Sequence, residues 1–140
     1  MIRRMVVAVA GVAALCGAGP ALSQTPSAQD GPKAAATGPD LGARAFLQCR
    51  SCHNLKPGQP DTVGPNLAGV FGTRIGSNRP AYAYSDASKA SSIVWTDANM
   101  DRWLENPAAV VPGSSMAFAG ISNADTRAAL LVFLRRETRQ

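Results

Sequence analysis

Cys49-Arg50-Ser51-Cys52-His53 is the stretch on which the reading of this 140-residue chain turns. Two cysteines three positions apart, with histidine directly after the second, span nearly one helical turn, so both sulfurs and the imidazole converge on one side. Two thiols so spaced can add to the two vinyl groups of a haem while the adjacent imidazole reaches the iron. The pattern is the attachment signature of a c-type haem. Other readings fit less well. A structural zinc site takes four ligands, yet His53 is the one histidine and Cys16, the third cysteine, lies in the N-terminal apolar run. A thioredoxin-like redox pair calls for a βαβ setting, which the flanking residues do not offer. A plain disulfide stays open to an exported chain. The motif favours one haem c held covalently through Cys49 and Cys52, with His53 on the iron.

Outward from the motif the pattern is helical and the fold class all-α. Asp40 can cap a helix whose Leu41, Ala45 and Phe46 share a face. Thr96 can cap a second, with Asp97 and Asp101 in its early turns, Met100, Trp103 and Leu104 as its apolar stripe, and Pro107 to stop it. Ser122 and Asp125 have capping-box spacing ahead of a third, whose Leu130, Leu131, Phe133 and Leu134 form the buried face. Residues 54–81 are rich in glycine and proline and show little periodicity. So long an irregular stretch is unusual in a small domain unless it wraps something. Aromatic residues make up only 6% of the chain, so a cofactor is expected to supply the centre that side chains do not.

An electron-carrying haem needs a sixth ligand. Beyond the N-terminal segment the chain has two methionines. Met100 lies on a helical apolar stripe and reads as a core filler. Met116 lies in Val-Pro-Gly-Ser-Ser-Met-Ala-Phe-Ala-Gly, residues 111–120, a loop between two helices. A thioether held there suits the second axial position, and His/Met ligation raises the reduction potential. His53 and Met116 are therefore the expected iron ligands.

Residues 1–23 read as an export signal: Arg3 and Arg4, the uncharged run Met5–Ala18, then Ala21-Leu22-Ser23 at a cleavage site. The run falls short of the roughly 20 apolar residues of a membrane span, and an uncleaved anchor is the alternative. Residues 24–39 form a flexible Pro/Ala/Gly linker, and 40–140 the domain. The formal net charge is +5, with Arg3 and Arg4 at the N-terminus, Arg135, Arg136 and Arg139 at the C-terminus, and no basic run interleaved with aromatics. That excludes a nucleic-acid reading.

Five motifs in order resemble the class I cytochromes c of the mitochondrial and bacterial cytochrome c2 type. They are residues 49–53, Gly-Pro-Asn-Leu-Ala-Gly-Val-Phe-Gly at 64–72, Tyr-Ser-Asp-Ala at 84–87, Trp-Leu-Glu-Asn-Pro at 103–107, and Pro-Gly-Ser-Ser-Met-Ala-Phe-Ala-Gly-Ile at 112–121. The resemblance implies crossed N- and C-terminal helices, with Gly42 and Phe46 against Leu130 and Phe133, and loops wrapping a single covalent haem. It implies that the Pro65 carbonyl holds the Nδ1–H of His53, that Tyr84 and Trp95 donate to a haem propionate, and that Trp103 and Ser114 lie beside the cofactor near Met116. This chain also departs from the pattern. Phe46 is one residue nearer the first cysteine, Thr73 intervenes before Arg74, Trp103 replaces a tyrosine, and Ser88 replaces an asparagine. Positions that carry lysines around the exposed haem edge of mitochondrial relatives read Gln48, Thr62, Ala108, Ala109, Ser115, Ser122 and Asn123.

The expected function is electron transfer in the periplasm, with no bond chemistry on a substrate. The expected partners are donor and acceptor redox proteins, membrane complexes among them, and neither nucleic acid nor a small-molecule substrate; the protein is expected to be a monomer. Two alternatives stay open: a haem domain with an open sixth site for gas sensing or peroxidase-like chemistry, and a cytochrome subunit dedicated to one periplasmic dehydrogenase.

Overall fold

A side-chain oxygen opens each of four helices in the computed structural model, which describes residues 39–139. Helix α1 is Pro39–Phe46, α2 Asp86–Ala90, α3 Asp97–Glu105, α4 Pro107–Val110 and α5 Ala124–Glu137. Ser85, Thr96, Asn106 and Asn123 cap α2 to α5, accepting from the backbone N–H of Ser88, Asn99, Ala109 and Thr126. Each bond satisfies a donor that the first helical turn leaves without a partner. The export segment and residues 24–38 of the linker lie outside the described residues.

Three sequence expectations shift. Helix α1 starts at Pro39, so Asp40 lies inside its first turn rather than at its cap, and the last residue expected in the linker is helical. Proline suits that place, because its missing N–H would have had no helical partner there. The cap of α5 is Asn123, not Ser122; its Oδ1 accepts from both the N–H and the hydroxyl of Thr126, at 2.8 and 2.9 Å. Pro107 follows the end of α3 but also begins α4, with Asn106 closing one helix and capping the next. The short α2 and α4 were not expected.

Helices α1 and α5 make the central contact. Gly42 of α1 lies so close to α5 that a Cβ would stand 2.7 Å from the Cβ of Phe133 and nearer still to the Ala129 carbonyl. That approach lets Phe46 meet Phe133 with ring centroids 5.4 Å apart. Leu130, fully buried, and Leu134 join Phe46, Leu55, Trp95 and Met100 in one apolar cluster. The place of Met100 on α3, buried, is the one its stripe predicts.

Residues 47–85 hold no helix, and side chains replace the missing ladder. Asn66, fully buried, donates from Nδ2 to the carbonyls of Lys56 and Gln59, both at 2.8 Å, and accepts from the Ala68 N–H at 2.8 Å. Asp61 accepts from the Asn66 N–H at 2.7 Å and from Arg79 Nε at 2.9 Å. At the far end of the chain, the buried Thr138 carbonyl accepts from the N–H of Gly69 at 2.7 Å. Among the described residues there is no strand, only an isolated bridge between Arg74 and Val94, and no helix is long and apolar enough to cross a membrane.

The α1–α5 contact gives a direct test. Gly42→Ala puts a methyl group into backbone that cannot yield, and unfolding in denaturant is expected to show a loss of about 1–3 kcal/mol. Unchanged stability would mean that the helices have room to separate.

Candidate functional site

The turn after α1 is built from its own backbone. The Phe46 carbonyl accepts from the N–H of Cys49 at 2.8 Å and of Arg50 at 3.1 Å, and the Cys49 carbonyl from the N–H of Cys52 and His53, each at 3.0 Å. One helical coil thus carries Cys49, Cys52 and His53. Cys49 and Cys52 are not bonded to one another, so the disulfide reading fails in this structure. Burial first, and then the neighbouring Cys52, pushes the Cys49 thiol up to about 11. A reactive redox cysteine would be shifted the other way, toward thiolate.

His53 donates from Nδ1 to the carbonyl of Pro65 at 2.8 Å. That bond assigns the tautomer and leaves Nε2 with a lone pair, the arrangement in which a carbonyl orients a metal-ligating imidazole. Burial lowers the pKa of His53, partly countered by the bond to Pro65. Neutral imidazole, the ligating form, is thereby favoured. The segment carrying Pro65 is strapped over the cysteine turn, because the Cys52 carbonyl accepts from both the Gly64 N–H at 2.8 Å and the Thr62 hydroxyl.

Gly64 is a site residue that sequence reasoning passed over. A Cβ there would lie 2.7 Å from Nδ1 and 2.9 Å from Nε2 of His53, and closer to the carbon between them. Only hydrogen fits between this backbone and the ring. The signal was present in the glycine directly before Pro65, although glycine also has commoner uses in turns.

Trp95 and Trp103 are buried and meet edge to face at 5.3 Å and 84°. Cys49 and Met116 pack, partly buried, against the same cluster. The Ser114 hydroxyl accepts from the Met116 N–H at 3.3 Å and so shapes the backbone at that methionine. Tyr84 is partly buried. It stands edge-on to Tyr82 at 4.9 Å, and burial raises its phenol while the backbone of Arg79 counters. Arg74 donates to the carbonyls of Lys89 and Ser91, at 3.1 and 3.2 Å, so its guanidinium ties its loop to the C-terminal end of α2.

Two thiols and a pre-oriented imidazole on one turn, with a thioether packed on the same apolar cluster as Cys49, are the donor types that a covalently attached haem requires. These residues fit that group.

Comparison with known proteins points the same way. A cytochrome c2 from Rhodomicrobium vannielii is 45% identical over 100 residues, 71% of this chain and 79% of its own length. A cytochrome c from Arabidopsis thaliana is 41% identical over 99 residues, covering 70% of this chain and 88% of that protein. The solved structure of cytochrome cH from Methylobacterium extorquens superposes with a TM-score of 0.66 at 36% identity, over 71% of this chain and 98% of that one. No protein-family model matches the chain.

Gly64→Ala tests the strap. The methyl group is expected to tilt His53 off Pro65 and cost about 1–3 kcal/mol of stability, and the Nδ1 proton of His53 should lose its protection from exchange. A slowly exchanging Nδ1 proton in this variant would show that the ring tolerates the methyl group.

Proposed function

This chain belongs to the class I cytochromes c, electron-carrying proteins with a covalent c-type haem, and from that premise we propose that it shuttles electrons in the periplasm with His53 and Met116 as axial ligands. When bound, the haem supplies a one-electron Fe(II)/Fe(III) couple. The observation that carries the reading is the 2.8 Å bond from His53 Nδ1 to Pro65, on the same turn that presents Cys49 and Cys52.

Each residue then has a task that its surroundings support. Cys49 and Cys52 anchor the cofactor, and Pro65 and Gly64 hold the His53 ring at a fixed angle. Met116, in a loop packed on the apolar cluster, offers a thioether that favours the reduced state. Trp95 and Trp103 wall the cofactor and keep water off it, and the indole N–H of Trp95 serves a propionate together with the Tyr84 hydroxyl. With His53 and Met116 both holding the haem iron, the protein would move electrons without opening the metal to substrate. The periplasmic placement rests on the charged, apolar and small-residue blocks of positions 1–23.

The surface bears on partners. Gln48, Thr62, Ala108, Ala109, Ser115, Ser122 and Asn123 are all exposed and uncharged, and beside Thr62 the side chain of Val63 is 77% exposed. Several cations are engaged elsewhere: Lys56 with Glu137, Lys89 with Asp86, and Arg135 with Asp97 while it stacks on Phe71. We infer a docking face that is apolar with a neutral rim, recognised by redox proteins of matching character.

Two measurements test this reading. Met116→Ala should lower the reduction potential and let the ferrous protein bind carbon monoxide, whereas Met100→Ala should cost about 2–5 kcal/mol of stability with the ligation intact. Rapid carbon monoxide binding by the unmodified ferrous protein would overturn the shuttle in favour of an open sixth site. In stopped-flow mixing with its redox partner, the rate should fall less than about threefold between low and physiological salt, because an uncharged rim gives no long-range steering. A steep decline would reveal a basic patch around Arg50, Arg74 or Arg79.

A further inference from the structure

We propose that Arg127 is a positioning residue that holds the Met116 loop closed and so sets how readily the thioether leaves the iron. The proposal rests on the reading of Met116 as a ligand.

Arg127 lies in α5 and is 7% exposed. A guanidinium taken out of water is costly unless its donors are matched, and here they are. Nε meets Asp101 at 3.0 Å and one terminal nitrogen meets Glu105 at 3.4 Å, both carboxylates on α3. The other terminal nitrogen donates to the carbonyls of Ile121 and Ser122, both at 2.9 Å. One side chain therefore joins two helices to the segment that returns from Met116 to α5.

The same segment is seated on the end of α3. The Ile121 N–H donates to the Leu104 carbonyl at 2.8 Å, filling one of the acceptors that a helix C-terminus leaves open. Gly120, at φ +96°, lies against the Glu105 carbonyl where a Cβ would overlap it. Between Pro112 and Ala119 the support is different. Among the described residues, the hydrogen bonds there run from the Ser114 N–H to Val111, from the Met116 N–H to Ser114 and from the Phe118 N–H to Met116, all local to the loop. Its stems thus fix its position. The first stem ends on buried Val111, and the second is the one Arg127 grips.

The chemistry follows from this layout. An entering ligand binds an occupied axial site only after the resident ligand departs, so the exchange rate reports loop opening. Residues 106–123 contain no second methionine, histidine, lysine or cysteine. A released loop therefore brings no substitute donor, and the site stands open to small ligands.

The experiment is binding of imidazole to the ferric holoprotein, followed optically to the plateau rate at high imidazole, with exchange of the Ile121 amide as a second readout. Arg127→Gln is expected to raise the plateau rate by about tenfold or more, since two charge-assisted bonds to the stem are lost, and to strip protection from the Ile121 amide. The milder pair Asp101→Asn with Glu105→Gln, at more exposed positions, is expected to move both readouts in the same direction and serves if Arg127→Gln does not fold. Gly42→Ala, which strains the α1–α5 contact at Ala129 and Phe133, should change the plateau rate by less than about threefold. The clamp is refuted if Arg127→Gln, or the carboxylate pair in its place, leaves the rate within twofold of the parent, or if Gly42→Ala accelerates it equally. If the parent protein shows no rate plateau and Met116→Ala changes nothing, the ligand assignment itself fails, and the clamp with it.

Discussion

The hydrogen bond from His53 to the Pro65 carbonyl crosses twelve positions of chain, and the intervening loop is arranged around keeping that carbonyl in place. Thr62 and Gly64 fasten it from below to the Cys52 carbonyl, and Asn66, with Asp61 and Arg79 behind it, fastens it from the other side. A stretch without helix or strand is normally loose, but here several of its turns converge on the buried Asn66. The ring angle of His53 is therefore a property of the whole loop. Substitutions at Asn66 or Asp61 act on the imidazole without touching it.

The packing of α1 on α5 plays the complementary part. It carries little chemistry, yet it delivers Cys49 at the end of α1 and brings Thr138 to Gly69 at the end of α5. The closest approach, at Gly42, is what admits the Phe46–Phe133 contact. In this chain only two residues separate Phe46 from Cys49, so the cysteine turn starts on the carbonyl of Phe46 itself. The core aromatic and the attachment turn are coupled as one unit.

How much of this was legible in the sequence follows from distance along the chain. The motif at 49–53, the cap at Thr96 and the stripe of Met100, Trp103 and Leu104 are short-range patterns, and each stands where it was expected. Ser122 and Asn123 are both competent caps one position apart, so spacing to Asp125 could not decide between them, whereas the Thr126 hydroxyl favours Asn123. The helices α2 and α4, of five and four residues, are too short to show a period. Arg127 and Asn66 were invisible for another reason. Their partners lie up to 26 and 10 positions away, and a charged or amide side chain reads as surface until the fold brings those partners to it.

The tie between Gly69 and Thr138, with the seating of Gly42 on Ala129, closes the molecule through its last residues. Contacts so distant in the chain delay folding until both ends are present. A polypeptide synthesised or threaded from its N-terminus emits the 49–53 turn long before α5 exists to pair with α1. Throughout that interval the two thiols stand uncovered, in a segment that nothing has yet packed. The order of the elements thus sets out the attachment turn before the α5 side chains that pack around Cys49 can arrive.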